Sequence, residues 1–199
     1  MSVILSIFLI LGLGTYLKCG FLATIVPFIG FFSALNQAKG HVIGQIVGVL
    51  LAILYSIMSY NNQYYGEVII YLIVILPLYI SGIYTWLKNK DKKSSKVKQN
   101  TIKKKEWTAL AIINVIAFVG LYILLKHFNT SNLLVSTLSM NMNLTATYLL
   151  VRRCKYTFVF YLVNSVILLI LWGVPVLNGN MLLLLRYYLV MLVMVVVII

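Results

Sequence analysis

The chain has 199 residues, of which 62% are hydrophobic and 10% are charged, and its formal net charge is +13. Soluble domains carry about 25% charged residues, so this composition excludes an ordinary water-soluble domain and indicates a protein solvated by lipid. Because a transmembrane helix needs about 20 mostly apolar residues, the length leaves no room for a large extramembrane domain.

The first apolar run covers residues 3–17. It lacks the basic start and the small-residue cleavage site of a signal peptide, so we predict a retained span within residues 1–18, with a signal peptide as the alternative. Further runs follow at 20–35, 42–58, 67–87, 107–125, 132–151, 156–177 and 181–199. The pattern predicts an all-α integral membrane protein with about eight transmembrane helices.

Basic residues are concentrated between the fourth and fifth runs. Nine lysines lie there: Lys88, Lys90, Lys92, Lys93, Lys96, Lys98, Lys103, Lys104 and Lys105. Cytoplasmic loops carry an excess of Lys and Arg, so we predict that this segment is a cytoplasmic, solvated linker and that it does not bind nucleic acid. Eight spans then place Lys39 and the Arg152–Lys155 turn on the same side, with both termini cytoplasmic.

The layout indicates two similar halves. We divide the chain into an extra N-terminal helix (1–18), a first three-helix bundle (19–88), the basic loop with a linking helix (89–130) and a second three-helix bundle (131–199). In both bundles the first inner turn is basic. An offset of four helices gives repeats of the same orientation.

Uncharged polar residues interrupt the spans, and polar groups in a bilayer tend to face the bundle interior. Asn141, Asn143, Thr145 and Thr147 alternate with apolar residues, so Asn141 shares a helix face with Thr145 and Asn143 with Thr147. Hydrogen bonding between helices and contact with a solute explain this pattern equally well.

Chemistry-bearing residues are scarce. Mid-span positions carry no Asp or Glu, Glu67 begins a run, and His41 and His127 end runs, which argues against a proton relay. Catalytic motifs are absent and Cys19 lies far from Cys154, so we expect no enzymatic activity, cofactor or metal site. Amides, hydroxyls and aromatic rings suit an uncharged or weakly charged solute that has a ring and hydroxyl groups.

Residues 38–90 and 148–172 resemble the PnuC family of nicotinamide riboside transporters. The positions that carry the resemblance are Lys39, Gly40, Gly48, Tyr55, Tyr65, Gly66, Glu67, Pro77, Gly82, Trp86, Arg152 and Arg153. The family's W-x-x-W-x-x-x-N signature is altered, with Phe158, Tyr161 and Ser165 at the matching positions and Asn164 one residue off.

The resemblance implies a 3+1+3 arrangement similar to SWEET carriers, plus one extra N-terminal helix, assembled as a homotrimer. It also implies facilitated uptake of nicotinamide riboside, a small-molecule partner, driven by intracellular phosphorylation. Alternatives are the same fold carrying thiamine, riboflavin or a deoxynucleoside, and a substrate-binding subunit of an ATP-driven vitamin importer. The substrate-binding residues that we expect are Gln37, Gln45, Trp86, Asn141, Asn143, Phe158, Tyr161 and Asn164.

Overall fold

The structure is a computed structural model that describes residues 21–61, 65–92, 94–130 and 132–177. The predicted spans within 1–18 and at 181–199 lie outside these residues. The described part contains six long helices: α1 (Phe21–Ala38), α2 (Ile43–Asn61), α3 (Tyr65–Lys88), α4 (Lys104–His127), α5 (Leu133–Val151) and α6 (Thr157–Leu177). They fall on the six apolar runs predicted between residues 20 and 177, which confirms the all-helical class. The 3+1+3 repeat and the domain limits stay predictions.

Helices α2, α3 and α4 are long and apolar enough to cross a membrane. Their outward faces expose large aliphatic side chains such as Ile46, Ile73 and Ile116. Water would penalise such a surface, whereas lipid tails accept it without cost. The exposed apolar belt is therefore the surface expected of a membrane-embedded bundle.

Close packing among α1, α2 and α3, which we call the first group of helices, depends on glycine. A Cβ added at Gly44 of α2 would lie 2.6 Å from the backbone nitrogen of Gln37 on α1, and one added at Gly48 would lie 2.5 Å from the ring of Tyr79 on α3. Small residues allow transmembrane helices to approach one another closely. Both glycines thus bring polar side chains of α1 and α3 against α2.

Helix α3 contains a π-helical turn at Tyr71–Ile75, followed by Pro77. Proline has no N–H to donate to the preceding turn, and such π turns are frequent at functional sites. The segment carries Tyr71, which belongs to the polar interior described below.

Helix α5 packs against α6, with which it forms the second group of helices, and against α4 and α3, so it connects this group to the first. Trp86 Nε1 on α3 donates to the carbonyl oxygen of Leu150 at 2.9 Å, and Thr85 Oγ1 donates to that of Val151 at 3.2 Å. On α4, Glu106 pairs with Arg152, whose Nε and Nη2 lie 2.6 and 2.9 Å from the two carboxylate oxygens. These contacts fix the end of α5 against both neighbours.

The basic segment after α3 differs from the solvated linker that we predicted. The amide of Val97 donates to Gly40 O at 2.9 Å, in the turn between α1 and α2. The amide of Asn100 donates to Arg153 O at 3.0 Å, in the turn between α5 and α6. The backbone of this segment therefore docks on both turns, while most of its lysine side chains stay exposed. We call this end of the bundle the basic end.

Candidate functional site

The eight predicted site residues lie in the interior of the bundle. Gln37, Gln45, Trp86, Asn141 and Asn164 are buried, and Asn143, Phe158 and Tyr161 are half-buried. They come from α1, α2, α3, α5 and α6, so both groups of helices contribute. Their roles as substrate contacts stay predictions, and the geometry below shows which of them meet.

Tyr79 of α3 is a buried member of this interior. Its side chain interacts with Gln37 of α1 and with Tyr161 of α6. The Tyr161 hydroxyl in turn lies 3.4 Å from Thr147 Oγ1 on α5. One chain of polar contacts thus crosses from the first group of helices to the second. Sequence reasoning missed Tyr79, although Gly48, which packs on its ring, was among the quoted positions.

A second polar layer lies nearer the end that carries Glu67. Asn143 Nδ2 on α5 is 3.4 Å from the Tyr71 hydroxyl, and the rings of Tyr71 and Tyr55 are 4.3 Å apart between centroids. Tyr55 donates to Glu67 Oε2 at 2.6 Å, and Ser59 donates to the same oxygen at 3.2 Å. The carboxylate at the start of α3 is therefore held by two hydroxyl donors of α2.

Two buried amides in this region have atoms without hydrogen-bond partners. Neither Nε2 nor Oε1 of Gln45 has a hydrogen-bond partner among the described residues, and Gln45 is 0% exposed. The Oδ1 atom of Asn141 is in the same condition. A buried polar atom without a partner costs about 1–3 kcal/mol. Such atoms are where the donors and acceptors of a solute would be most useful.

Other predicted residues already have partners in the fold. Ser139 donates to Asn164 Oδ1 at 2.9 Å, and the indole N–H of Trp86 is taken by the Leu150 carbonyl. Within the polar ladder of α5, the hydroxyl of Thr145 is hydrogen-bonded to Asn114 of α4. Thr145 is therefore a link between α4 and α5.

A cavity of about 280 Å³ opens at the basic end. Gln37, Trp86 and Phe158 line it together, so three predicted residues do meet in one space. Its lining does not include Gln45, Asn143 or the other predicted residues. The candidate site therefore has two levels, an uncharged polar interior around Tyr79 and a basic cavity beyond Gln37.

The family model described as nicotinamide mononucleotide transporter matches residues 20–199. The chain belongs to this transporter family. The match confirms the resemblance drawn from residues 38–90 and agrees with a role in transport. Membership in this family, together with the apolar helices, identifies an integral membrane protein.

A curated member of the same family, the nicotinamide riboside transporter PnuC of Neisseria mucosa, is 22% identical over 158 residues. The match covers 77% of this chain and 60% of that relative, so the chain spans about three fifths of its length. A solved structure, described as the vitamin B3 transporter PnuC, has 18% sequence identity and a TM-score of 0.77. That similarity covers 98% of this chain and 86% of the solved one and shows a shared fold.

Proposed function

We propose that the chain is a facilitative membrane transporter for nicotinamide riboside. The observation that carries the proposal is the polar connection from Gln37 through Tyr79 to Tyr161, which joins the two groups of helices inside a bundle of this family. Transporter sites of this kind lie between two repeats near the bilayer midplane. The substrate in this proposal is the ligand named for the Neisseria mucosa relative, nicotinamide riboside.

The chemistry of nicotinamide riboside suits the described interior. Its pyridinium ring can stack on aromatic faces, and Tyr79 and Tyr161 offer such faces. Its ribose hydroxyls and carboxamide can pair with buried amides, and those of Gln45 and Asn141 have atoms free to do so. We therefore retain the predicted site residues and add Tyr79 to them.

The proposal includes an orientation and an assembly. We place the basic end in the cytoplasm because Lys and Arg accumulate on that side of membrane proteins. The helices then form two parallel three-helix repeats around the linking helix α4, with an extra N-terminal helix and both termini cytoplasmic. Further parts of the proposal are a homotrimeric assembly and a location in the cell membrane.

The driving force is phosphorylation of the substrate inside the cell, which keeps its free concentration low. Proton coupling would favour an acidic residue on the substrate path. Within the described spans, Glu67 is the carboxylate nearest the polar interior, and Tyr55 and Ser59 already donate to it. A carrier that lets the substrate equilibrate fits this arrangement.

Liposomes that contain only the purified chain test the proposal. Labelled nicotinamide riboside should exchange across the membrane without a pH gradient or ATP. Parallel titrations with thiamine, riboflavin and deoxynucleosides should give weaker binding. Preferential binding of one of those ligands would replace the substrate but keep the fold and mechanism.

The same liposomes address the second candidate, a substrate-binding subunit of an ATP-driven importer. A subunit would bind the ligand tightly yet show no exchange until a partner was added. Exchange by the chain alone excludes this candidate. Binding without exchange would overturn the facilitative mechanism.

A further inference from the structure

The cavity at the basic end is surrounded by positive charge. Four cationic residues line it: Lys39, Lys96, Arg153 and Lys155. Its lining includes no Asp or Glu. With a volume of about 280 Å³, it lies near the lower end of small-molecule sites, which are about 300–1,000 Å³. The space therefore suits one small anion-bearing molecule.

Among these cations, Arg153 gives the strongest indication that the cavity binds an anion. Its Nη1 donates to Lys98 O at 3.0 Å, but its Nε is buried and has no hydrogen-bond partner within residues 21–61, 65–92, 94–130 and 132–177. The neighbouring Arg152 is neutralised by Glu106, and Arg153 has no such carboxylate partner in the described part of the chain. Burial, and then the charge of Arg152, lower the pKa of Arg153. An anion in the cavity would relieve both effects.

The walls of the cavity add a second requirement. Trp86 and Phe158 provide aromatic surface, and Gln37 provides an amide next to them. Because the indole N–H of Trp86 is already bonded to Leu150 O, the ring contributes its apolar surface. Aromatic surface beside cations recognises a molecule with both a flat ring and a phosphate.

We propose that this cavity binds the phosphate of a nucleoside 5′-monophosphate, the phosphorylated form of the transported nucleoside. The proposal rests on the proposed function, because that function supplies the cytoplasmic orientation and the nucleoside. The monophosphate binds from inside and is not carried. Its occupancy of the cavity rises with the concentration of phosphorylated nucleoside inside the cell.

The position of the cavity predicts how a bound phosphate affects transport. Lys39 belongs to the turn between α1 and α2, Arg153 and Lys155 to the turn between α5 and α6, and Lys96 to the segment that docks on both. A phosphate held among them cross-links the two groups of helices. Movement of one group against the other would then be opposed. The monophosphate should therefore slow exchange of the nucleoside.

The first experiment measures binding to purified protein in zwitterionic nanodiscs. Nicotinamide mononucleotide, inorganic phosphate and nicotinamide riboside are titrated separately against the unmodified chain and three variants. Arg153→Gln and the double variant Lys39→Gln/Lys96→Gln should weaken mononucleotide binding about tenfold or more and leave riboside affinity unchanged. The double variant Lys92→Gln/Lys98→Gln removes the same charge outside the cavity lining and should leave both affinities unchanged.

The outcomes separate the two proposals. Mononucleotide binding that follows this pattern supports the cavity site even if the riboside fails to bind, a result that would overturn only the proposed transport function. Riboside binding with no mononucleotide binding, or equal weakening in all variants, overturns the cavity site. Loss of mononucleotide binding in Arg153→Gln supports the site only if that variant keeps a normal melting temperature and Lys39→Gln/Lys96→Gln also binds more weakly. Normal mononucleotide binding in a folded Lys39→Gln/Lys96→Gln variant overturns the site.

A lipid headgroup is the other possible source of phosphate. Adding phosphatidylglycerol to the nanodiscs should leave mononucleotide binding intact if the site takes the soluble molecule. If phosphate and mononucleotide do not bind but anionic lipid raises the melting temperature through the same residues, the soluble ligand is wrong. With mononucleotide sealed inside liposomes, riboside exchange should fall at least twofold, whereas unchanged exchange would overturn the inhibitory role.

Discussion

Gly82 on α3 lies directly against the side chain of Gln45 on α2. A Cβ added at Gly82 would lie 2.5 Å from Oε1 of Gln45. Since Gln45 is 0% exposed and its amide has no hydrogen-bond partner in the described helices and turns, this contact limits where the amide can point. The absence of a side chain at residue 82 thus makes room for a buried polar group.

Gly82→Ala should therefore destabilise the bundle and disturb Gln45. The added methyl group needs space that the amide occupies, and overpacking of this kind costs about 1–3 kcal/mol. We expect a lower melting temperature in detergent and weaker binding of nicotinamide riboside. Thermal unfolding and a binding titration on the same preparation measure both effects.

Gly120→Ala is the matched control for this substitution. Gly120 lies within α4, and no atom of the part of the chain that the structure describes comes within 4 Å of a Cβ added there. Because alanine is the better helix former, this variant should melt at the same temperature as the unmodified chain or slightly higher. Equal melting temperatures for the two variants would show that Gly82 has no special packing role.

Gln45→Met should separate stability from function. The buried amide has no partner to lose, and replacing an unpaired polar group by an apolar one of similar length is neutral or stabilising. We expect an unchanged or higher melting temperature. Riboside affinity should fall about two- to tenfold, because a hydrogen bond to the solute is worth about 0.5–1.5 kcal/mol.

Thr145→Val supplies the opposite pattern. This substitution keeps the shape but removes the hydroxyl that bonds to Asn114. Interhelical hydrogen bonds in membranes contribute about 0.6 kcal/mol on average, so the melting temperature should fall while riboside affinity is kept.

Undiminished riboside affinity in the Gln45→Met variant would remove Gln45 from the substrate site.

Hydropathy predicted the described helices well because lipid exposure imposes long apolar runs. The predicted ends of the helices were less accurate. Gln37 lies beyond the apolar run at 20–35, yet it belongs to the last turn of α1, where its Nε2 donates to Ser33 Oγ at 2.9 Å and Gly44 O at 3.1 Å. Polar side chains that bond within their own turn allow a helix to continue past the apolar run.

The sequence alone did not predict which residues far apart in the chain are in contact. Tyr71 and Asn143 are 72 positions apart, and their 3.4 Å contact depends on how α3 packs against α5. An isolated tyrosine in an apolar run can face lipid or the interior, so Tyr79 gave no clear signal. The lysine-rich composition of the segment after α3 predicted a solvated linker. It did not reveal that this segment docks on the two turns, because the docking uses backbone amides.

Tyr55→Phe should weaken the contact between α2 and α3. The Tyr55 hydroxyl donates to Glu67 Oε2 at 2.6 Å, and a hydrogen bond to a charged group contributes about 1.5–3 kcal/mol. Ser59 remains as a donor at 3.2 Å, so we expect the lower part of that range. Thermal unfolding in detergent measures the change.

Tyr84→Phe is the corresponding control. Tyr84 lies on α3, is 68% exposed and is part of the outer surface. Losing its hydroxyl should change the melting temperature little. A similar decrease in both variants would mean that Glu67 gains nothing specific from Tyr55.

The ion pair between Glu106 and Arg152 should be detectable by a double-mutant cycle. Two nitrogens of Arg152 reach the carboxylate at 2.6 and 2.9 Å, but the Arg152 side chain is 42% exposed, so solvent screens the pair. We expect Glu106→Gln and Arg152→Gln to show a coupling energy of about 0.5–1 kcal/mol at low salt. The coupling should decrease at 1 M salt, where the Debye length is about 3 Å. A cycle of Glu106→Gln with Lys39→Gln, which lies in the other turn, should give no coupling, and equal coupling in both cycles would indicate a general charge effect.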